Sequence, residues 1–155
     1  MLDLKNTPMS ELANHVGEEI GVTEWMTVTQ EMVTKFAEAT HDPDWMHVDV
    51  ERSKRESPYK GTIAQGFLAM SLVIDFTHQL GFVTPDFDYA LNYGADRVRF
   101  TTVMPTGCRL RGRFTLASAT PRGEGLLVKL ACVVEMEGSA KPAVVMDWLA
   151  YWFAK

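Results

Sequence analysis

Gly66-Phe67-Leu68-Ala69-Met70-Ser71-Leu72-Val73-Ile74 is the stretch that decides the fold. After the glycine, seven of the eight residues are apolar, and they fall on every side of a helical wheel. A helix that is apolar all round is buried all round. Amphipathic character returns only after Asp75, and Gly81 ends the element. The run is far short of the ~20 residues that a membrane span needs. The spacing therefore predicts a helix at the centre of a globular core.

What surrounds that helix follows from the flanking periodicities. Downstream, Leu110, Gly112, Phe114 and Leu116 alternate with Arg109, Arg111, Arg113 and Thr115, which predicts a strand with one face inward and one wet. Val128, Leu130, Cys132, Val134 and Met136 make a second inward face. A strand over about Tyr89 to Phe100 precedes these. The last, from about Ala143 to Phe153, is apolar on both faces and reads as central. Upstream, an amphipathic helix is expected after Pro8, with Leu12 and Val16 as its apolar edge and Gly17 as its end. Gly21 to Val28 reads as a strand. Thr29 is placed to cap a helix carrying Met32, Val33 and Phe36 and running to about Thr40. Asp49 is placed to cap a shorter one over Val50 to Glu56, closed by Ser57-Pro58. Helices and a strand, then the apolar helix, then about four strands form an α+β pattern, an antiparallel sheet wrapped around one helix.

Composition bounds the rest. The 155 residues are read as one domain, 1–155. Hydrophobic residues make up 46% and charged residues 23%, with no repeat or low-complexity tract. The net charge of -5 argues against nucleic acid or an anionic membrane as partner. The N-terminus carries no basic segment followed by an apolar one, so no secretory signal is read. Two cysteines, Cys108 and Cys132, make no disulfide scaffold, and a reducing cytoplasmic setting is expected.

The densest polar cluster is His41-Asp42-Pro43-Asp44-Trp45-Met46-His47-Val48-Asp49. Asp42 and His47, five residues apart across a turn, can converge on one water. The carboxylate accepts a hydrogen bond, and an imidazole exchanges protons near neutral pH. Such a loop is more often solvated capping and turn chemistry, because Asp bonds its own backbone and Pro43 disfavours helix before it. His41, Asp42 and His47 could also ligate zinc or iron, but no HExxH or CxxC accompanies them.

Gly61-Thr62-Ile63-Ala64-Gln65-Gly66 leads into the apolar helix. Free N–H groups at a helix start suit a developing oxyanion. A simple turn is the plainer reading, and no Lys-Ser/Thr follows to make a P-loop. Asn92-Tyr93-Gly94 reads as a bulge or strand kink. Arg109, Arg111 and Arg113 read as a solvated strand face. Both cysteines read as small buried hydrophobes rather than nucleophiles. No Gly-x-Ser-x-Gly elbow is present to support a serine hydrolase.

Taken together, these clusters resemble the MaoC-like dehydratase or (R)-specific enoyl-CoA hydratase family, and within it the nodulation protein N-like branch. The family pattern is Gly-Asp-x-Asn-Pro-(Leu/Ile)-His, then an aliphatic-Ala/Val-His-Gly turn. Here the first reads His41-Asp42-Pro43-Asp44-Trp45-Met46-His47 and the second Thr62-Ile63-Ala64-Gln65-Gly66-Phe67-Leu68. Asn92-Tyr93-Gly94 with Arg97-Val98-Arg99-Phe100 also resembles that branch, and the likeness covers about residues 15 to 153. His41 stands for Gly, Asp44 for Asn, Trp45 for Pro and Gln65 for His; Asp42 and His47 are retained.

The resemblance implies a hot-dog fold and hydration of a trans-2-enoyl thioester to a (3R)-3-hydroxyacyl thioester, or the reverse. It implies that Asp42 and His47 bind the water and that the Gly66 N–H holds the thioester carbonyl. Gln65 and Asp44 are further candidate substrate-binding residues, and Asn92 and Tyr93 secondary ones. No metal or redox cofactor is implied; the partners are acyl-CoA, or an acyl carrier thioester, and a second copy of the chain in a homodimer. From placement between the two segments alone, Lys54, Arg55 and Lys60 are candidates to meet CoA phosphates, and solvated surface charge is the plainer reading. A hot-dog thioesterase using the same Asp/His pair and a non-catalytic acyl-binding module are the alternatives.

Overall fold

A computed structural model describes residues 1–155. One six-stranded antiparallel sheet carries the fold. Its strands are β1 (Glu19–Val22), β2 (Met26–Thr27), β3 (Phe87–Phe100), β4 (Arg109–Arg122), β5 (Gly125–Met136) and β6 (Val144–Ala154). The order across the sheet is β1-β4-β5-β6-β3, with β2 also pairing with β4. The last strand is thus interior, between β5 and β3, as its two apolar faces require. The alternating residues of β4 and β5 fall as their period demands. Leu110, Gly112, Phe114 and Leu116 are buried on one face, opposite Met136, Val134, Cys132 and Leu130 in turn.

The apolar run forms α4 (Gly66–Ser71) and α5 (Val73–Leu80). Leu72, between them, keeps a helical backbone (φ -64, ψ -14), and bonds run from Leu72 N to Leu68 O and from Phe76 N to Leu72 O, each 3.0 Å. The two pieces are one bent helix. Gly81 stops it in the left-handed conformation at φ 61. Leu68, Ala69, Val73 and Phe76 are buried in a core of 28 residues shared with the sheet.

The helix is not buried all round. Phe67 is 66% exposed, Ser71 is exposed, and Met70 and Ile74 are only half-buried. The sheet covers one side of the helix, and the residues nearest β3 are left uncovered. An apolar wheel specifies which residues need cover, not whether the same chain provides it.

Two upstream expectations are corrected. The segment after Pro8 is a 3-10 helix, Met9–His15, that buries Met9 and Leu12, while Val16 lies outside it at 50% exposure. The expected strand over 21–28 is divided into β1 and β2. Between them Thr23 turns its hydroxyl inward to accept from Gly112 N at 3.0 Å and donate to Glu24 O at 3.0 Å. The remaining helices are α1 (Gln30–Thr40), α2 (Trp45–Val48) and α3 (Val50–Glu56). Thr29 Oγ1 accepts from Met32 N and Asp49 Oδ1 from Arg52 N, the expected caps. No helix is long and apolar enough to cross a membrane.

Candidate active site

Asp42 is delivered by the way α1 ends. His41 takes the left-handed conformation at φ 55, and Asp42 N bonds back to Ala37 O at 2.9 Å. Asp44 then caps α2, its Oδ1 accepting from Met46 N at 2.8 Å. That short helix carries His47. His47 Nδ1 lies 2.7 Å from the Ile63 carbonyl oxygen. A carbonyl only accepts, so Nδ1 carries a proton, and in the neutral imidazole Nε2 keeps its lone pair. Ile63 N bonds in turn to Met46 O at 3.0 Å. The α2 helix and the Ile63 segment therefore hold each other.

Gln30 ties this arrangement to α1. Its Nε2 donates to His47 O at 2.7 Å, and its Oε1 accepts from Thr62 Oγ1 at 2.6 Å. On the other side, Ala64 N bonds to Met104 O and Thr106 N to Thr62 O. An extended strap, Thr62–Ala64, is thereby fixed between α2 and the loop after β3, and leads into Gly66. The Gly66 N–H has no acceptor in the chain, as expected for the first turn of a helix.

Asp42, His47, the Ile63–Phe67 segment and the Phe100–Met104 segment wall one cavity of about 470 Å³. It brings together Asp42, His47, Gln65 and Gly66 of the sequence-derived candidates. Gln65 is buried; its Nε2 donates to Val33 O at 3.3 Å, and its Oε1 has no partner. Asp44 is a helix cap and does not line this cavity. Asn92 and Tyr93 lie elsewhere on β3. Lys54, Arg55 and Lys60 do not line it either, and Lys54 is paired with Glu51 at 2.8 Å. No group of three or more His, Cys, Asp or Glu side chains converges as metal ligands, so His41, Asp42 and His47 do not form such a set.

The sequence did not single out Phe100 as a wall of the site. An ideal Cβ on Gly66 would lie 2.8 Å from its ring, and the ring meets Phe67 edge-on with centroids 5.4 Å apart. The space above Gly66 is therefore roofed by an aromatic ring rather than open. Beyond Phe67 an apolar groove continues between the helix and the inner face of β3 and β6. A second cavity of about 360 Å³ shares Phe67 with the first. A third, also about 360 Å³, shares Ile74, Asn92 and Trp148 with the second and ends among Phe82, Phe87 and Trp152.

Elsewhere the polar clusters are structural. Arg109 pairs with Glu137, and Arg111 and Arg113 share Glu135 at 2.6 and 2.8 Å. Burial pushes the Cys132 thiol up to about 12 and raises that of Cys108, so neither is a ready thiolate.

A family model described as a MaoC-like domain matches residues 11–130. The chain belongs to the MaoC-like dehydratase family. Within that family it is 41% identical to nodulation protein N of Rhizobium leguminosarum bv. viciae, over 91% of this chain and 88% of the relative. It is 38% identical to 3-hydroxyacyl-thioester dehydratase Z of Mycobacterium tuberculosis, over 94% and 96%. Among solved MaoC-like folds, R-hydratase PhaJ1 from Pseudomonas aeruginosa superposes with a TM-score of 0.75 at 21% identity, covering 97% of this chain and 88% of that one. The (R)-hydratase from A. caviae gives 0.69 at 16%, covering 87% and 94%. The fold is the hot-dog fold, an antiparallel sheet around a central helix.

Proposed function

We propose that the chain adds water across the double bond of a trans-2-enoyl thioester, giving a (3R)-3-hydroxyacyl thioester, and catalyses the reverse elimination. One observation carries this reading: Asp42, an imidazole held through Nδ1 by the Ile63 carbonyl, and an unpaired Gly66 N–H face one cavity. The relative named as a 3-hydroxyacyl-thioester dehydratase supports the reaction class.

The chemistry follows from the parts. A water donates one hydrogen to the Asp42 carboxylate and the other to His47 Nε2, and its oxygen lone pair attacks C3. One O–H bond breaks as the C3–O bond forms, and the abstracted proton passes to the pair. The C2–C3 π electrons move toward the thioester oxygen, where the Gly66 N–H and the positive end of the helix stabilise the enolate. The pair then returns the proton to C2. No metal or redox cofactor takes part. CoA or an acyl carrier presents the thioester, and the acyl chain lies along the groove past Phe67. Phe100 moves aside to admit the carbonyl.

The assembly proposed is a homodimer joined through β3, in a cytoplasmic setting. β3 is a 14-residue sheet edge with Tyr89, Leu91 and Tyr93 exposed, and long exposed edges pair with another chain. The test is product analysis with trans-2-enoyl-CoA. Loss of the conjugated enoyl absorbance with the thioester intact supports hydration. Release of free thiol from the enoyl substrate contradicts it and favours the thioesterase alternative.

A further inference from the structure

The groove beyond Phe67 is mostly apolar; of its polar side chains, Ser71 and Thr77 spend their hydroxyls on the Phe67 and Ile74 carbonyls, and His78 is exposed and lines only the farther cavity. Asn92 lines both of its cavities, opposite Ile74. Its Oδ1 accepts from Trp148 Nε1 at 3.0 Å. An indole N–H can only donate, so the amide orientation is decided: the oxygen faces Trp148 and the NH2 group is turned away from it. No acceptor within the chain reaches that NH2 group. Gly94, two residues on, leaves open space where a side chain would stand. Asn92 thus lines the groove with its amide oxygen engaged and its NH2 group unpaired within the chain, beside the hydrophobic side chains of Phe67, Met70, Ile74 and Trp148.

We propose that Asn92 is a specificity-determining residue that selects an acyl chain carrying an oxygen acceptor far from the thioester, rather than a plain alkyl chain. The proposal rests on the hydratase reading above, in which the acyl chain occupies this groove. Ile74 stands eight residues along the helix from Gly66, about 12 Å at the rise of an α-helix. The oxygen therefore belongs near the ninth or tenth carbon, well away from the carbons that react. Once the groove is filled, an unanswered amide donor there is desolvated without a partner, which disfavours the all-carbon chain.

The experiment compares kcat/KM for trans-2-decenoyl-CoA with that for its 9-oxo derivative, in the full-length protein and in two variants. A net hydrogen bond of about 0.5–1.5 kcal/mol corresponds to a two- to tenfold preference for the oxo substrate in the wild type. Asn92→Asp keeps the shape and the acceptor for Trp148 but removes both donors. Its preference falls to unity or reverses. Asn92→Leu removes the polar group altogether, and its preference falls to unity. Circular dichroism and thermal melting establish that both variants are folded, and either one alone suffices for the comparison. If the wild type hydrates both substrates with equal kcat/KM, or if the folded variant keeps the wild-type preference, the proposal is overturned and Asn92 serves only to orient Trp148. If neither decenoyl substrate nor any shorter enoyl-CoA is hydrated, it is the hydratase reading that fails.

Discussion

His47 is useful because one nitrogen is already committed. Nδ1–H donates to the Ile63 carbonyl, so in the neutral imidazole Nε2 is free to accept from water without any change of tautomer. Asp42 supplies the second acceptor. Asp42→Asn keeps the size and the backbone bond to Ala37 but removes the anion, and kcat is expected to fall by at least ~10², the scale of general acid–base catalysis. Steady-state kinetics on a variant with an unchanged circular dichroism spectrum checks this. Near-wild-type turnover would remove Asp42 from the mechanism. Gly66 gives a second residue-scale prediction. A Cβ there meets the Phe100 ring at 2.8 Å, so Ala displaces the ring and Val also blocks the carbonyl. Gly66→Val is expected to lose ~10²–10³ in kcat/KM, as for a lost oxyanion donor, and Gly66→Ala less. If both variants are folded and fully active, the carbonyl is held elsewhere. The five-residue Asp42/His47 spacing was legible in the sequence, because turn residues and a cap fix the local chain. Phe100 and Gln30 were not. They reach the site only through the pairing of β3 with β6 and of α1 with the Thr62 strap, and nothing local marks such contacts.

The central helix and the sheet meet closely at Gly112 of β4. A Cβ at that position would lie 2.7 Å from the Phe114 ring and 2.8 Å from that of Phe76 on α5. Both rings are fully buried. Overpacking of this kind costs about 1–3 kcal/mol. Gly112→Ala is therefore expected to lower Tm by several degrees, at about 2–4 °C per kcal/mol for a chain of this size. An unchanged melting curve would mean that the contact relaxes freely. On the opposite face of the same strand, Glu135 bridges Arg111 and Arg113. Partial burial works against its charge, but the two guanidinium groups outweigh this and hold its carboxyl below the usual carboxylate range. A lowered folded-state pKa gives stability that is present above the unfolded value and is lost as pH falls through the folded one. Tm is thus expected to drop below about pH 4.5, the ordinary glutamate range. In Glu135→Gln that part of the drop is missing, and the loss at neutral pH is under about 1 kcal/mol because the pairs are partly exposed. The period-2 pattern of β4 showed both faces in advance. The division of β1 from β2 was hidden, because the bond from Gly112 N to the Thr23 hydroxyl joins residues 89 positions apart.

At the scale of the whole molecule, the chain leaves two neighbouring surfaces uncovered. These are the β3 edge and the side of the central helix that carries Phe67. The all-round apolar helix in the sequence marked which residues favour cover, but the chain itself buries only one side of it. A homodimer joined through β3 is expected to show twice the chain mass in sedimentation equilibrium. Leu91→Lys, which places a charge on the exposed edge, is expected to shift it toward monomer. A wild-type protein that is monomeric at high micromolar concentration would contradict that arrangement. Purified wild-type protein and Asp42→Asn are each mixed with crotonyl-CoA and with trans-2-decenoyl-CoA, the enoyl absorbance is followed, and the products are resolved on a chiral column. The expected result is loss of absorbance with the thioester intact, a (3R)-3-hydroxyacyl product, and a rate at least ~10² lower in the variant. A (3S) product, release of free CoA in place of hydration, or equal rates in the two proteins would contradict it.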